Sequence, residues 1–223
     1  MEQPGAPDAA ASPPPAFDEE FRERLELLLR WRRDVRHFRR DPIPPDVLER
    51  LFDLACTAPS VGYSQPWRFV LVEGAEARAA VRANFERCNR TALNDYEGER
   101  AALYARLKLS GLDDAPVHLA IFTDHTTASG GGLGQRTMPQ TLDYSSVTAL
   151  FTLWLAARTW GIGVGWVSII DPGEVASALD VPPSWTLTAY LCIGYPCDHD
   201  ERPELARIGW QDVDPAGRRV LRR

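Results

Sequence analysis

Between Thr141 and Trp160 the chain carries only two charged residues, Asp143 and Arg158. A helix over this stretch is apolar on nearly every side, and such a helix has to be covered all round. In a chain of 223 residues that cover is easiest to complete if a second subunit supplies one wall, with the core of a single subunit as the alternative. The stretch therefore predicts a buried helix at the centre of the fold and points to a dimer.

The flanking segments read as a mixture of helices and strands. Residues 1–16 are rich in Pro and Ala and predict a disordered arm, leaving 17–223 as one domain with a C-terminal extension. Phe21, Leu25, Leu28 and Leu29 recur at helical spacing up to Trp31. The prolines at 42, 44 and 45 force extended chain, and a helix follows from about Asp46 to Thr57. Arg68 to Val72 is a strand, Ala75 to Leu109 two helices, and Pro116 to Phe122 a second strand. Ala128 to Gly134 is too glycine-rich to be regular and predicts a mobile loop. Ile162 to Ile170 and Trp185 to Ile193 are further strands, separated by a short helix with Asp171 as N-cap and Pro172 at its first position. The tail from Asp198 has little periodicity and is expected to wrap the surface or a partner.

Composition excludes several classes of function. A formal charge of −6 lacks the broad basic surface that nucleic-acid binding needs. No apolar run is long enough to cross a membrane. The four histidines are scattered without ligand spacing, so no metal is expected. Cys56, Cys88, Cys192 and Cys197 form no CxxC pair and follow no secretory signal, which reads as reduced thiols in a cytoplasmic protein.

An acidic chain that binds an anion must do so with local arginines. Arg32, Arg33 and Arg36 surround Asp34 within five residues, in a stretch whose pattern reads as helical. Arg32 and Arg36 share a face in either a helical or an extended chain, and the guanidinium fork suits phosphate oxygens. Asp34 is either the salt-bridge partner of an arginine or a carboxylate with work of its own. In the Ser60 to Trp67 loop, Ser60 and Gln65 offer groups able to bond a heterocycle edge, although any turn could use the same residues. Gly161, Gly163 and Gly165 alternate, which leaves one face of a strand bare and marks close approach of a ligand or of another backbone. This is no GxGxxG dinucleotide fingerprint, because the glycines follow a helix instead of opening one. By alternation Ser168 faces away from Gly163 and Gly165, so it can share a ligand with them only if the strand ends or bulges near Trp166.

Arg32-Arg-Asp-Val-Arg36, Ala58-Pro-Ser-Val-Gly62 followed by Gln65-Pro-Trp67, and Gly163-Val-Gly-Trp-Val-Ser168 in this order resemble the nitroreductase-like flavoproteins. Within them, the chain is most similar to the 5,6-dimethylbenzimidazole synthase family. Further matches are Gly98-Glu-Arg100, Leu107-Lys-Leu109, Pro139-Gln140, Leu153 to Arg158 and Pro203 to Ala206. The resemblance implies an α+β fold with a central mixed sheet flanked by helices, in an intertwined homodimer that binds FMN at its interface. It implies fragmentation of reduced FMN by O2 to 5,6-dimethylbenzimidazole and erythrose 4-phosphate, with a flavin reductase as the partner that supplies reduced FMN. By the same motifs, Arg32, Arg33 and Arg36 would hold the phosphate and ribityl end, and Lys108 would reach in from its helix. Ser60, Gln65, Gly163, Gly165, Trp166 and Val167 would approach the flavin. Asp34 and Ser168 match the catalytic positions. Two other readings are an enzyme passing hydride from NAD(P)H through FMN, and a protein that sequesters flavin without turnover.

Overall fold

The computed structural model describes residues 13–223, so the expected Pro/Ala-rich arm lies outside the described residues up to position 12. Helix α1, Glu19–Trp31, starts at Asp18, whose carboxylate accepts from the Phe21 N–H at 2.8 Å as an N-cap should. Helix α2 covers Pro45–Ala55, strand β1 Trp67–Leu71, helix α3 Ala75–Leu93 and helix α4 Gly98–Tyr104. They are followed by strand β2, Val117–Asp124, the long helix α5, Thr141–Thr159, and strand β3, Gly163–Val167. Helix α6, Pro172–Ala178, strand β4, Trp185–Gly194, and the single turn of helix α7, Glu204–Arg207, complete the order. Asp171 caps α6 through the Glu174 N–H, as its sequence predicts.

The sheet runs β1-β2-β4-β3, and every pair in it is antiparallel. The expected mixed sheet is therefore corrected: the parallel component is confined to an isolated bridge between Asp34 and Val164. Alternation along the strands sends Leu119, Ile121, Leu191 and Ile193 to one face, where they pack with α2 and α5 residues Leu51, Leu150 and Leu153. Ala120, Phe122, Tyr190 and Cys192 go to the other face and meet Val81 of α3 and Val175 of α6. Burial of Cys192 pushes its thiol up to about 12, so it behaves as a small apolar side chain. Among the described residues no helix is long and apolar enough to cross a membrane.

Two further expectations need correction. The stretch around the arginines is not helical: α1 stops at Trp31, and Arg32 has extended backbone (φ −69°, ψ 119°). Residues 34–39 then run beside β3 and the chain that follows β4. Val35 N–H donates to the Val164 carbonyl at 3.0 Å, and Arg39 N–H to that of Tyr195 at 2.8 Å. The strand expected to reach Ile170 ends at Val167, because the next turn is drawn toward α3. There the Asn84 amide accepts from the Asp171 N–H at 2.8 Å. On α5, the described residues of one subunit leave one side open. Leu142, Ala149, Leu150, Leu153 and Ala157 are buried, but Tyr144, Val147 and Phe151, on one helical stripe, remain 55, 37 and 42% exposed.

Candidate functional site

The extended course of residues 32–38 decides where each arginine goes. Arg32 lies over two rings of α5, with its guanidinium carbon 5.2 Å from the Trp154 ring and 5.9 Å from that of Phe151. Arg33 points to the C-terminal tail and donates from Nε to the Glu201 carbonyl at 2.6 Å. Burial and the neighbouring Arg32 charge lower its pKa from the ordinary arginine value. Arg36 is the most enclosed of the Asp34–Arg36 pair, with 12% of its side chain exposed. Its Nε donates to Asp34 Oδ2 at 2.9 Å, and its fork reaches the Lys108 carbonyl at 3.4 Å. Arg33 and Arg36 thus line one cleft with Asp34, while Arg32 faces α5.

Asp34 makes the salt bridge that its neighbours suggest and a second bond that they do not. Its Oδ1 accepts from the Trp166 backbone N–H of β3 at 2.9 Å. The carboxylate is therefore fixed between the arginine cleft and the end of β3, two residues before Ser168. Ser168 itself is exposed and lies just past that strand, as sharing a site with β3 requires. Asp34 and Ser168 line different clefts, Asp34 that of the arginines and Ser168 one with Trp166, Ile170 and Tyr190, and no hydrogen bond joins them.

The bare face of β3 is occupied by another backbone, one of the two causes that its glycines suggest. A Cβ on Gly165 would lie 2.0 Å from the Val35 carbonyl oxygen, and one on Gly163 would lie 2.7 Å from the Val35 side chain. The glycines admit the backbone of residues 34–38, the alternative cause of such a face. Val167, on the same side, is buried in the second core with Phe38, so its side chain is not free to touch a ligand. Trp166 is half-buried on the opposite face and packs against the first core. The arginine segment and the glycines of β3 are thus one paired unit.

Lys108 is also corrected. It lies beyond the end of α4 in irregular chain, and its ammonium donates to Asp114 at 2.7 Å. With Arg40 as second partner, that bond holds the Asp114 carboxyl below its ordinary range. Lys108 reaches the arginine cleft only through its carbonyl. Ser60 and Gln65 do come together: Ser60 Oγ accepts from the Gln65 backbone N–H at 3.1 Å. Their loop packs on the N-terminal half of α5, where Val61 N–H donates to Ser145 Oγ and Thr148 Oγ1 to the Pro59 carbonyl. From Ser145 to the Trp154 ring under Arg32 is about 14 Å along the helix axis, at 1.5 Å per residue. One subunit thus holds the loop and the arginines at separate places on the same helix.

The cleft also contains residues of the tail, which the sequence expects to wrap the surface or a partner. Asp200, Arg202, Glu204 and Arg207 line it opposite Arg33, Asp34, Arg36 and His37. Arg207 pairs with Asp200 at 3.2 Å, and His37 Nε2 is 3.5 Å from Glu204. The alternation of arginine with carboxylate from 200 to 207 was the available signal, and Pro203 to Ala206 was already among the matching motifs. Farther along, Trp210 fastens the tail to α4 by stacking on Arg100, whose guanidinium carbon is 3.9 Å from the ring centre.

Comparison with known proteins places this architecture. The chain is 54% identical to the 5,6-dimethylbenzimidazole synthase of Rhodospirillum rubrum over 90% of its own length and 95% of that protein. It is 48% identical to the synthase of the same name from Rhodobacter capsulatus, over 89% of the chain and 96% of the relative. Among solved structures, an oxidised iodotyrosine deiodinase bound to FMN and 3-iodo-L-tyrosine superposes with a TM-score of 0.66 at 26% identity. It covers 79% of this chain and 91% of its own. A nitroreductase family protein from Streptococcus pneumoniae, at 20% identity, shares the fold with a TM-score of 0.63, over 89% of this chain and all of its own. Residues 29–195 match the Nitroreductase family itself, and the chain belongs to that family, within its 5,6-dimethylbenzimidazole synthase branch.

Proposed function

We propose that the chain is a 5,6-dimethylbenzimidazole synthase, taking reduced FMN and O2 to 5,6-dimethylbenzimidazole and erythrose 4-phosphate. The observation that carries this reading, beside the 54% identity to a synthase, is the fixed position of Asp34 between Arg36 and the Trp166 N–H. The donor set suits FMN. Arg33, Arg36, Arg202 and Arg207 line one cleft together with Asp34, Asp198, Asp200 and Glu204, and arginine's planar fork suits a phosphate group that would exchange for those carboxylates. FMN supplies the ring that reacts with oxygen and the ribityl chain that is cut. The protein's part is to hold the phosphate end and to take a proton from the sugar. Asp34 is suited to the second task because its two bonds leave acceptor capacity on both oxygens. Ser168, exposed past the end of β3, offers a hydroxyl to orient the reacting ring.

The proposed assembly is a homodimer. The Tyr144, Val147 and Phe151 stripe of α5 is uncovered, and so are Phe21, Leu25 and Leu29 of the adjoining α1. Their burial by a second subunit would remove a large apolar patch from water. It would also let one flavin meet arginines and a Ser60–Gln65 loop that a single subunit keeps apart. The FMN fit and the dimer rest on the same helix.

The deciding experiment is to mix the protein with reduced FMN in air and identify the organic products by mass spectrometry. 5,6-Dimethylbenzimidazole supports the proposal; oxidised FMN alone contradicts it. Family membership also admits an enzyme that passes hydride from NAD(P)H through FMN. That reading expects NADH to bleach bound FMN without any benzimidazole.

A further inference from the structure

Among the described residues, three besides glycine have left-handed backbone: Tyr63 (φ 57°), Gln65 (φ 46°) and Asp180 (φ 50°). Two of the three lie in the loop proposed to approach the flavin, with Gly62 (φ 55°) beside them. A side chain disfavours this conformation, which persists only where the surroundings over-determine it. Gln65 is held at both ends of its backbone. Its N–H donates to Ser60 Oγ at 3.1 Å, and its carbonyl accepts from Arg68 Nη1 at 3.0 Å.

Arg68 is itself fixed. Its Nη1 also reaches the Trp67 carbonyl at 2.8 Å, and its Nη2 donates to Asp124 Oδ2 at 2.7 Å. Asp124 is 9% exposed, and its other oxygen accepts from both the N–H and the hydroxyl of Thr126, at 3.0 and 2.8 Å. Its own N–H donates to the Pro66 carbonyl at 2.8 Å. On the far side of the loop, Gly130 presses so closely that a Cβ there would lie 2.3 Å from the Gly62 carbonyl oxygen. A pair that merely tied β1 to β2 would have no need to spend a guanidinium nitrogen on the carbonyl of a strained residue.

We propose that Arg68 and Asp124 are positioning residues that hold Gln65 in its left-handed conformation and so aim the loop at FMN. This rests on the reading that Gln65 approaches the flavin. Neither residue touches the ligand; both act through the Gln65 backbone. The fork matters, because lysine cannot bond two carbonyls and a carboxylate in that fixed plane.

The test is a double-mutant cycle on the full-length protein, read as the dissociation constant of oxidised FMN from fluorescence quenching, with melting temperature recorded alongside. Gln65→Ala and Arg68→Met are each expected to weaken FMN by about tenfold. The double variant is expected to bind no more weakly than Gln65→Ala, because Arg68 still bonds the carbonyl of residue 65 but the side chain it aims is already gone. Arg68→Lys should fail to restore affinity. If Arg68→Met does not fold, Asp124→Asn takes its place in the cycle, with a smaller loss and the same absence of additivity. Fully additive losses, or a lowered melting temperature with unchanged affinity, would overturn the inference while leaving the synthase reading intact. A wild-type protein without FMN affinity would overturn both.

Discussion

Gly165 shows why a pattern can be read correctly while its cause stays open between two. The alternating glycines announce that something lies flat against a strand, and this holds. Whether it is a ligand or another backbone depends on contacts 130 residues apart in sequence, between Val35 and Gly165, which no local pattern encodes. A methyl group at Gly165 would meet the Val35 carbonyl at 2.0 Å, a contact with backbone on both sides. Gly165→Ala should therefore cost at least about 1 to 3 kcal/mol of stability, as overpacking does, measured by urea unfolding. Normal stability with lost flavin affinity would return these glycines to the role of a ligand platform. Asp34 was legible as a salt-bridge partner of a near arginine, and that bond exists. Its second bond, to Trp166 N–H, was not legible, because it depends on residues 32–38 being extended.

At the scale of the element, the helices and strands followed from periodicity, and the errors lay where partners override propensity. The pattern of Arg32 to Phe38 suits a helix, but Val164 and Tyr195 offer their carbonyls to its backbone, and pairing with them wins. Helix formers surround Lys108, yet α4 stops at Tyr104. Helix α5 carries the opposite lesson. Its scarcity of charge predicted cover on all sides, and the stripe through Tyr144, Val147 and Phe151 is the part that one subunit leaves open. If a second copy covers that stripe, Phe151→Glu should shift the protein from dimer to monomer at micromolar concentration, since a charge would be buried without a partner. Light scattering measures this. A Phe151→Glu protein with the same mass as wild type would remove α5 from the interface.

The whole molecule joins three distant parts of the chain at one place: the arginine segment, the end of β3 and the C-terminal tail. The fold makes that junction by laying residues 34–39 beside β3 and the chain that follows β4, then strapping residues 200–207 across them. Asp34, held there, is proposed to take a proton during fragmentation of reduced FMN. Single-turnover oxidation of bound reduced FMN, with the benzimidazole and oxidised FMN both quantified, tests it in wild type and in Asp34→Asn. Asparagine keeps the size and an acceptor oxygen but cannot take the proton. The account predicts that the variant still binds FMN, forms 5,6-dimethylbenzimidazole roughly 100-fold more slowly or worse, and returns oxidised FMN in its place. Benzimidazole formation by Asp34→Asn at near the wild-type rate would contradict it.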